Sequence, residues 1–322
     1  MTRPSSFDRG ELVAIEHLAA LLGHAPSGEV WTGDDAAVLD GDASVLFATD
    51  MLVEGVHFDR AFSSLADIGW KALTTNLSDL AAMGGAPLAA VIAVAGASGA
   101  DLEGLYAGLV EASKTYHCPL VGGDLSDGPS LVVSVAVLGS TGGRVPTLRS
   151  NGRAGDRLYV TGPLGAAAAG LRLLRAGAPC DAALARAHRR PTPRLAEGAV
   201  ANRLGATAML DLSDGLGVDL DRLARASGVG AALSTVPVSE GASEEEALGG
   251  GDDYELLFSA PPSVDVLGAF GASGLRAPIA IGELVGEVSS RTLRGRPLDR
   301  VGFEHGLGPN GGTRRGPGDG PS

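Results

Sequence analysis

Apolar residues recur along this chain in two rhythms, and the rhythms alternate. Over residues 65–83, Ile68, Ala72, Leu73, Leu77, Leu80 and Ala81 return at helical spacing, and Gly84, Gly85 and Pro87 predict the stop. Residues 45–48, 88–95 and 131–138 are short apolar runs that predict strands, the first ending in Thr49-Asp50. Residues 101–116 predict a second helix, and Leu120-Val121 lead into Gly122-Gly123-Asp124. After a polar, glycine-rich stretch at 151–156, the alternation restarts with a strand at 157–160. Helices follow at 164–175, 193–204 and 215–226, with strands at 208–212 and 254–258. The expected fold class is therefore α/β or α+β.

A chain of 322 residues is long enough for two cores. The polar break places the boundary near residue 150, giving an N-terminal domain at 1–150 and a C-terminal α/β domain at 151–305. Residues 306–322 are mostly glycine, proline, arginine and polar residues, and the expectation is a disordered tail.

A formal net charge of −13 argues against nucleic acid or an anionic membrane as partner, since charge-driven binding to either needs basic patches. Phosphate substrates remain compatible, because divalent cations can sit between two sets of negative oxygens. Cys118 and Cys180 cannot build a disulfide framework or a four-thiolate zinc site, and the N-terminus lacks signal-peptide character, so a cytoplasmic protein is expected. The longest apolar runs, such as 88–95, fall far short of the ~20 residues that span a bilayer.

The aspartates carry the chemistry. They stand in Gly33-Asp34-Asp35, Thr49-Asp50, Asn76-Leu77-Ser78-Asp79, Gly123-Asp124, Asp211-Leu212-Ser213-Asp214-Gly215 and Asp252-Asp253, mostly after an apolar run or beside glycine. Such carboxylates suit oxygen coordination of a hard cation, and without a His/Cys cluster magnesium or manganese is favoured over zinc. Magnesium takes few protein carboxylates per ion, so six acidic sites imply several ions, as expected where two phosphorylated molecules meet. Lys71 and Lys114 are the only lysines and neither lies in a Walker-type loop, which disfavours a P-loop NTPase or a protein kinase.

Simpler readings exist for single pieces. Asp34-Asp35 also reads as a turn, Ser213 or Asp214 as an N-cap, and His57 as a surface histidine beside a strand. Val160-Thr161-Gly162-Pro163-Leu164-Gly165 could bind phosphate through backbone amides, although glycine-rich helix entries are common. Asp79 resists this treatment: an acid in the last turn of a helix opposes the helix dipole, so something else must compensate it.

Taken together, Gly33-Asp34-Asp35-Ala36-Ala37, the run from Thr49-Asp50 to Val56-His57-Phe58, and the run from Asn76 through Asp79 to Met83-Gly84 resemble thiamine-monophosphate kinases. Gly122-Gly123-Asp124, Asp211-Leu212-Ser213-Asp214-Gly215-Leu216 and Gly250-Gly251-Asp252-Asp253-Tyr254-Glu255-Leu256 agree in the same order, so the resemblance spans about residues 6–305. It implies the two-domain fold of aminoimidazole ribonucleotide synthetase. In that fold the N-terminal domains of two copies pair into a barrel-like core, so a homodimer is expected. It also implies direct transfer of the ATP γ-phosphate to thiamine monophosphate, with several Mg2+ ions, ATP as co-substrate and thiamine diphosphate as product.

Carried over by motif, Asp35, Thr49, Asp50, Asp79, Asp124, Asp211 and Asp214 match metal positions, with Asp79 and Asp214 expected to matter most for turnover. Gly123, Asp124, Arg149 and Ser213, with Tyr106, match nucleotide positions; His57, Asp252 and Phe303 match substrate positions. Two residues depart from the family pattern. Asp252 stands where glutamate is usual and is one methylene shorter, and Ala48 stands where a hydroxyl residue is common, leaving only its backbone carbonyl for a metal. Aminoimidazole ribonucleotide synthetase, selenophosphate synthetase and hydrogenase-maturation dehydratases share this fold. The selenophosphate enzyme needs a reactive Cys or selenocysteine in an N-terminal loop, and no Cys here precedes Cys118. A binding protein that keeps the fold without turnover is the rival from another class.

Overall fold

The computed structural model describes residues 25, 27–30, 34–39, 45–298 and 300–303. The expected tail at 306–322 lies outside them, as does Gly33. The described strands form two sheets. One has the order β1-β2-β5-β3-β4, from β1 (Ala37–Leu39), β2 (Val45–Val53), β3 (Ala86–Ala95), β4 (Leu120–Ser126) and β5 (Val132–Ser140).

The other sheet has the order β12-β11-β8-β10-β6-β9-β7. Its strands are β6 (Arg157–Val160), β7 (Ala208–Asp211), β8 (Gly230–Leu233), β9 (Leu256–Ala260), β10 (Ile279–Val285), β11 (Arg291–Leu293) and β12 (Arg296–Pro297). Both sheets mix parallel and antiparallel pairs, with β3–β4 and β8–β11 parallel.

The first helix, α1 (Leu65–Ala82), sits between the two halves. Ser64 and Asp67 close a reciprocal capping box at its start, and Gly84, with φ +74°, turns the chain away after the C-cap residue Met83. It packs against α2 (Gly99–Tyr116), β2 and β5 on one side, and against α5 (Leu195–Leu204) and β7 of the other half. This explains why α1 is buried almost all round: its apolar stripe fills the N-terminal core, while Thr74, Thr75 and Asn76 are buried with their side chains bonded back to the helix carbonyls of Trp70, Lys71 and Ala72.

The remaining helices are α3 (Ala166–Arg175), α4 (Ala182–Arg189), α6 (Leu216–Ala226), α7 (Glu244–Gly249) and α8 (Val266–Ala272). Most expected elements appear with ends shifted by a few residues. Short α4, α7, α8 and strands β1, β8 and β10–β12 carry too little periodicity to stand out. The Gly122-Gly123-Asp124 segment lies inside β4 rather than on a turn, because β3 approaches closely: a Cβ on Gly123 would stand 1.8 Å from the Ile92 carbonyl oxygen.

The first sheet has one face under α1 and α2 and one open face. Register puts Phe47, Leu138 and Ala89 in one row of the open face, Thr49, Ala136 and Val91 in the next, and Met51, Ser134 and Ala93 in a third. Phe47, Met51, Val91 and Leu138 are exposed there.

Close helix contact depends on two glycines, since a Cβ on Gly69 would meet the Leu105 carbonyl at 2.0 Å and one on Gly108 the Ala66 carbonyl at 1.8 Å. Gly108→Ala is expected to lower unfolding free energy by about 1–3 kcal/mol through overpacking, despite the ~1 kcal/mol that alanine gains in helix propensity. Denaturant titration checks this, and unchanged stability would show that α1 and α2 can separate freely.

Candidate active site

Where the two halves meet, α1 ends and β7 ends beside it. There Asp35, Asp79 and Asp211 present oxygens that all lie within 4.8 Å of one another. Each comes from a different stretch of chain: Asp35 just before β1, Asp79 from the last turn of α1, Asp211 from the end of β7. Asp50, on the helix-facing side of β2, donates its backbone N–H to Asn76 Oδ1 at 2.8 Å and adds its charge to the group.

This is an unfavourable place for negative charge. Asp79 is pushed well above the usual carboxylate range by burial first, then by Asp50, Asp211 and Asp35, with Arg149 opposing. Asp211 is raised by burial and by Asp35, Asp219 and Asp50, against a 2.6 Å hydrogen bond donated by Ser78 Oγ. No basic residue occupies the last turn of α1. The cation that does face the group is Arg149, which reaches Asp35 at 2.7 Å and donates its backbone N–H to Asp34 at 3.0 Å. Burial disfavours the Arg149 charge, but Asp35 and Asp34 outweigh that and keep it protonated. Asp34 itself is lifted to about 7 by burial and by Asp35.

Three carboxylates converging without enough cations to balance them form an all-oxygen donor set, which fits a hard divalent cation. The compensation that Asp79 demands is thus only partly supplied by Arg149.

Asp214 follows on the loop after β7. Its carboxylate pairs with Arg222, while Asp219 accepts N–H bonds from Asp214 and Gly215 at 3.0 and 3.1 Å and binds Arg222 at 2.8 Å. The N-cap of α6 is therefore Gly215, with no side-chain cap of its own, and neither Ser213 nor Asp214 caps the helix. Asp219 is raised to about 7 by burial and by Asp214, against Arg222.

A second loop is laced to the first: Asp252 N–H donates to the Ser213 carbonyl at 2.8 Å, Tyr254 N–H to Leu212 at 2.9 Å, and Phe303 N–H to Asp214 at 2.9 Å. Asp252 and Tyr254 hold φ of +61° and +49°, a left-handed conformation fixed by those bonds. Across from Asp252 lies Lys71, buried on α1 at 3% exposure; its Nζ sits 2.7 Å from Asp252 Oδ2 and 3.3 Å from the His57 carbonyl. Burial would raise the Asp252 pKa, but the Lys71 charge, with hydrogen bonds from Lys71 and the Tyr254 hydroxyl, outweighs it and holds the carboxyl below its usual range. His57 Nδ1 accepts the Val53 N–H at 3.0 Å, and His57 and Asp252 both line a cleft, with Lys71 bonded to each of them.

Not every expected site residue meets here. Ala48 is buried in β2, Thr49 donates its hydroxyl to the Val135 carbonyl at 2.9 Å, and Thr49 and Asp124 stand on the open face of the first sheet, away from the carboxylate cluster. Gly123 is in the same strand as Asp124, and Tyr106 packs half-buried against the N-terminal core. Residues that the sequence reading passed over include Ser78, Lys71, His188, Asp219 and Arg222. The Asp219/Arg222 spacing of three on a helix was a usable signal. Lys71, one of two lysines and embedded in an apolar helix, was another.

Two family models match the chain: the N-terminal domain of AIR synthase related proteins over residues 33–141, and the C-terminal domain of the same proteins over 153–293. The thiamine-monophosphate kinase of Rhodopirellula baltica is 36% identical over 275 residues, covering 77% of this chain and 81% of that protein. The Bacillus subtilis thiamine-monophosphate kinase is 37% identical over 254 residues, 72% of this chain and 78% of its own length. The solved structure of AaThiL complexed with AMPPCP and TMP superposes with a TM-score of 0.83 at 31% identity, covering 95% of this chain and 99% of that one.

Crowded carboxylates make the metal-free protein sensitive to pH. Asp34 and Asp219 have raised pKa values in the folded state, so the unfolded chain binds fewer protons between about 4 and 7, and stability falls as pH rises through that window. Asp79 and Asp211 in the carboxylate cluster are raised in the same direction, and a divalent cation held there competes with their protons. Magnesium is therefore expected to raise the melting temperature more at pH 8 than at pH 5, as thermal unfolding with and without a chelator would read. An equal shift at both pH values would contradict a carboxylate-held ion.

Proposed function

We infer that this chain, which belongs to the thiamine-monophosphate kinase family of the AIR synthase related proteins, transfers the terminal phosphoryl group of ATP to thiamine monophosphate, giving thiamine diphosphate and ADP. The observation that carries this reading is the convergence of Asp35, Asp79 and Asp211 in a chain of that family. It rests on the fold and site described above, with an N-terminal domain to about residue 150 and a C-terminal domain beyond it.

In the reaction, the bond from the terminal phosphorus of ATP to its bridging oxygen breaks as a phosphate oxygen of the substrate bonds to that phosphorus. The acceptor is already ionised, so no strong general base is needed, and positioning and charge balance are the tasks left to the protein. Asp35, Asp50, Asp79 and Asp211, with Asp214 nearby, would hold magnesium, which supplies neutralisation of phosphate charge when bound. Arg149 would present its planar guanidinium to phosphate oxygens, in place of part of its bond to Asp35. Ser213 and Asp214 lie on a loop tied by backbone bonds to Asp252 and Phe303, so connected backbone would grip the two ends of the substrate.

The open face of the first sheet supports pairing of two copies. Phe47, Met51, Val91 and Leu138 make a contiguous apolar surface, and pairing through it would bring Thr49 and Asp124 into an interface rather than leave them in water. A homodimer is the expected state in solution. Val91→Arg, which alters an exposed residue, is expected to halve the mass seen by sedimentation; an unchanged mass, or a wild-type monomer, would contradict this surface as the interface.

Incubation with thiamine monophosphate, ATP and magnesium is expected to yield thiamine diphosphate and ADP in equal amounts, and a chelator to stop both. Asp79→Asn is expected to lower kcat by roughly 100-fold or more while the fold survives, since a pre-organised charge-stabilising group typically supplies that much. A variant with normal turnover would remove Asp79 from the mechanism; ADP formed without thiamine diphosphate would direct attention to another acceptor.

A further inference from the structure

Beside Asp252 the cleft contains a polar group that nothing in the protein satisfies. His188, in the last turn of α4, is 3% exposed, and its Nδ1 is buried without a hydrogen-bond partner, 3.7 Å from Asp252 Oδ2. An orphaned buried nitrogen costs about 1–3 kcal/mol, so a site that keeps one commonly awaits a ligand. Beside this residue lies a cleft of about 170 Å³, walled by Val56, Phe58, Phe62 and Leu171, with His57, Asp59, Arg175, His188 and Asp252 supplying polarity. That is below the roughly 300–1,000 Å³ that encloses a whole drug-sized ligand, and it suits a single flat ring.

The protonation states define what that ring must offer. Burial, then the Lys71 charge, drives the His188 pKa down to about 3, so the imidazole is neutral and carries one N–H. With the proton on Nε2, the Nδ1 lone pair would face the Asp252 carboxylate; with the proton on Nδ1, a donor stands next to an acceptor. The second tautomer is electrostatically favoured. Asp252 stays ionised and in place because Lys71 and the Tyr254 hydroxyl, 3.1 Å from Oδ1, hold it from behind.

We propose that His188 is a specificity-determining binding residue: its Nδ1–H and the Asp252 carboxylate together read the ring nitrogen and the adjacent exocyclic amine of an aminopyrimidine, with Lys71 positioning Asp252. This rests on the kinase reading above, in which the substrate carries such a ring. The ring nitrogen accepts from His188, and the amine donates to Asp252. An analogue with oxygen in place of the amine presents a carbonyl to the carboxylate and a ring N–H to the imidazole N–H, so both contacts reverse. His57, Asp59 and Arg175 also line the cleft, and the His188 variants separate their contribution from that of His188.

Calorimetric titration tests this without requiring turnover. Thiamine monophosphate and its 4-oxo analogue are each titrated into the full chain with magnesium and a non-hydrolysable ATP analogue. Wild type is expected to prefer the amine by about 100-fold or more, as sites built to hydrogen-bond a substrate group do. His188→Leu should reduce that preference to within about tenfold, and His188→Asn, which restores a donor near the same place, should recover most of it. Equal wild-type affinities, binding of neither compound, or a folded His188→Leu that keeps the full preference would overturn the proposal. Should His188→Leu fail to fold, 15N NMR of the wild type decides: the His188 Nδ1–H signal must shift with the amine compound and not with the oxo compound. Turnover is read separately, so a wild type that binds selectively but transfers no phosphate would overturn the kinase reading and leave the cleft assignment standing.

Discussion

Like charges forced together in a buried place are the constraint on which the site depends. Asp35, Asp79 and Asp211 could each be solvated alone, but the fold draws them within 4.8 Å of one another at the C-terminal end of a buried helix, where the helix dipole adds to the repulsion. Only a fold stabilised elsewhere can hold such an arrangement, because an unpaired buried carboxylate costs several kcal/mol. The two cores supply that surplus, with α1 clamped between them by packing against α2 and the first sheet on one side and α5 and β7 on the other.

The same helix joins the charged site to the cleft. Asp79 and Lys71 are eight residues apart on α1, about 12 Å along the axis. One end of α1 therefore gathers carboxylates and the other section fixes a carboxylate with a buried ammonium. The opposite half answers with two loops stitched by backbone bonds: Asp211 and Asp214 on one, Asp252 and Tyr254 on the other. Lys71 makes the shorter side chain at position 252 understandable. A carboxylate that is 2.7 Å from a buried lysine and held by a tyrosine hydroxyl has a fixed position, and this reach needs no extra methylene.

Opposite treatment of similar groups distinguishes the two regions. Asp79 and Asp211 are left short of cations and are driven toward protonation, a condition that a divalent ion would relieve. Asp252 has a dedicated lysine and stays ionised. On the readings proposed above, the first would take metal and phosphate and the second a neutral donor group on an organic ring.

Long periodic elements were legible from sequence because burial on one face imposes a period, as in α1, whose start and stop were visible to within a residue or two. Short strands β8 and β10–β12 and helices α7 and α8 were not, since a few residues cannot establish a period and their conformation is imposed by neighbours. The aspartates advertised themselves by standing at the ends of apolar runs, and the misfit of Asp79 with its helix dipole already required a partner. Which aspartates meet was decided only in three dimensions: Asp35, Asp79 and Asp211 converge because α1 and β7 end side by side, whereas Asp124 and Thr49 stand on the other face of the sheet. Lys71 and His188 gained their meaning the same way. Sequence fixes a side chain's chemistry and its local phase on a helix or strand, but distances between residues more than a hundred positions apart, such as Lys71 and Asp252, follow from how the cores pack.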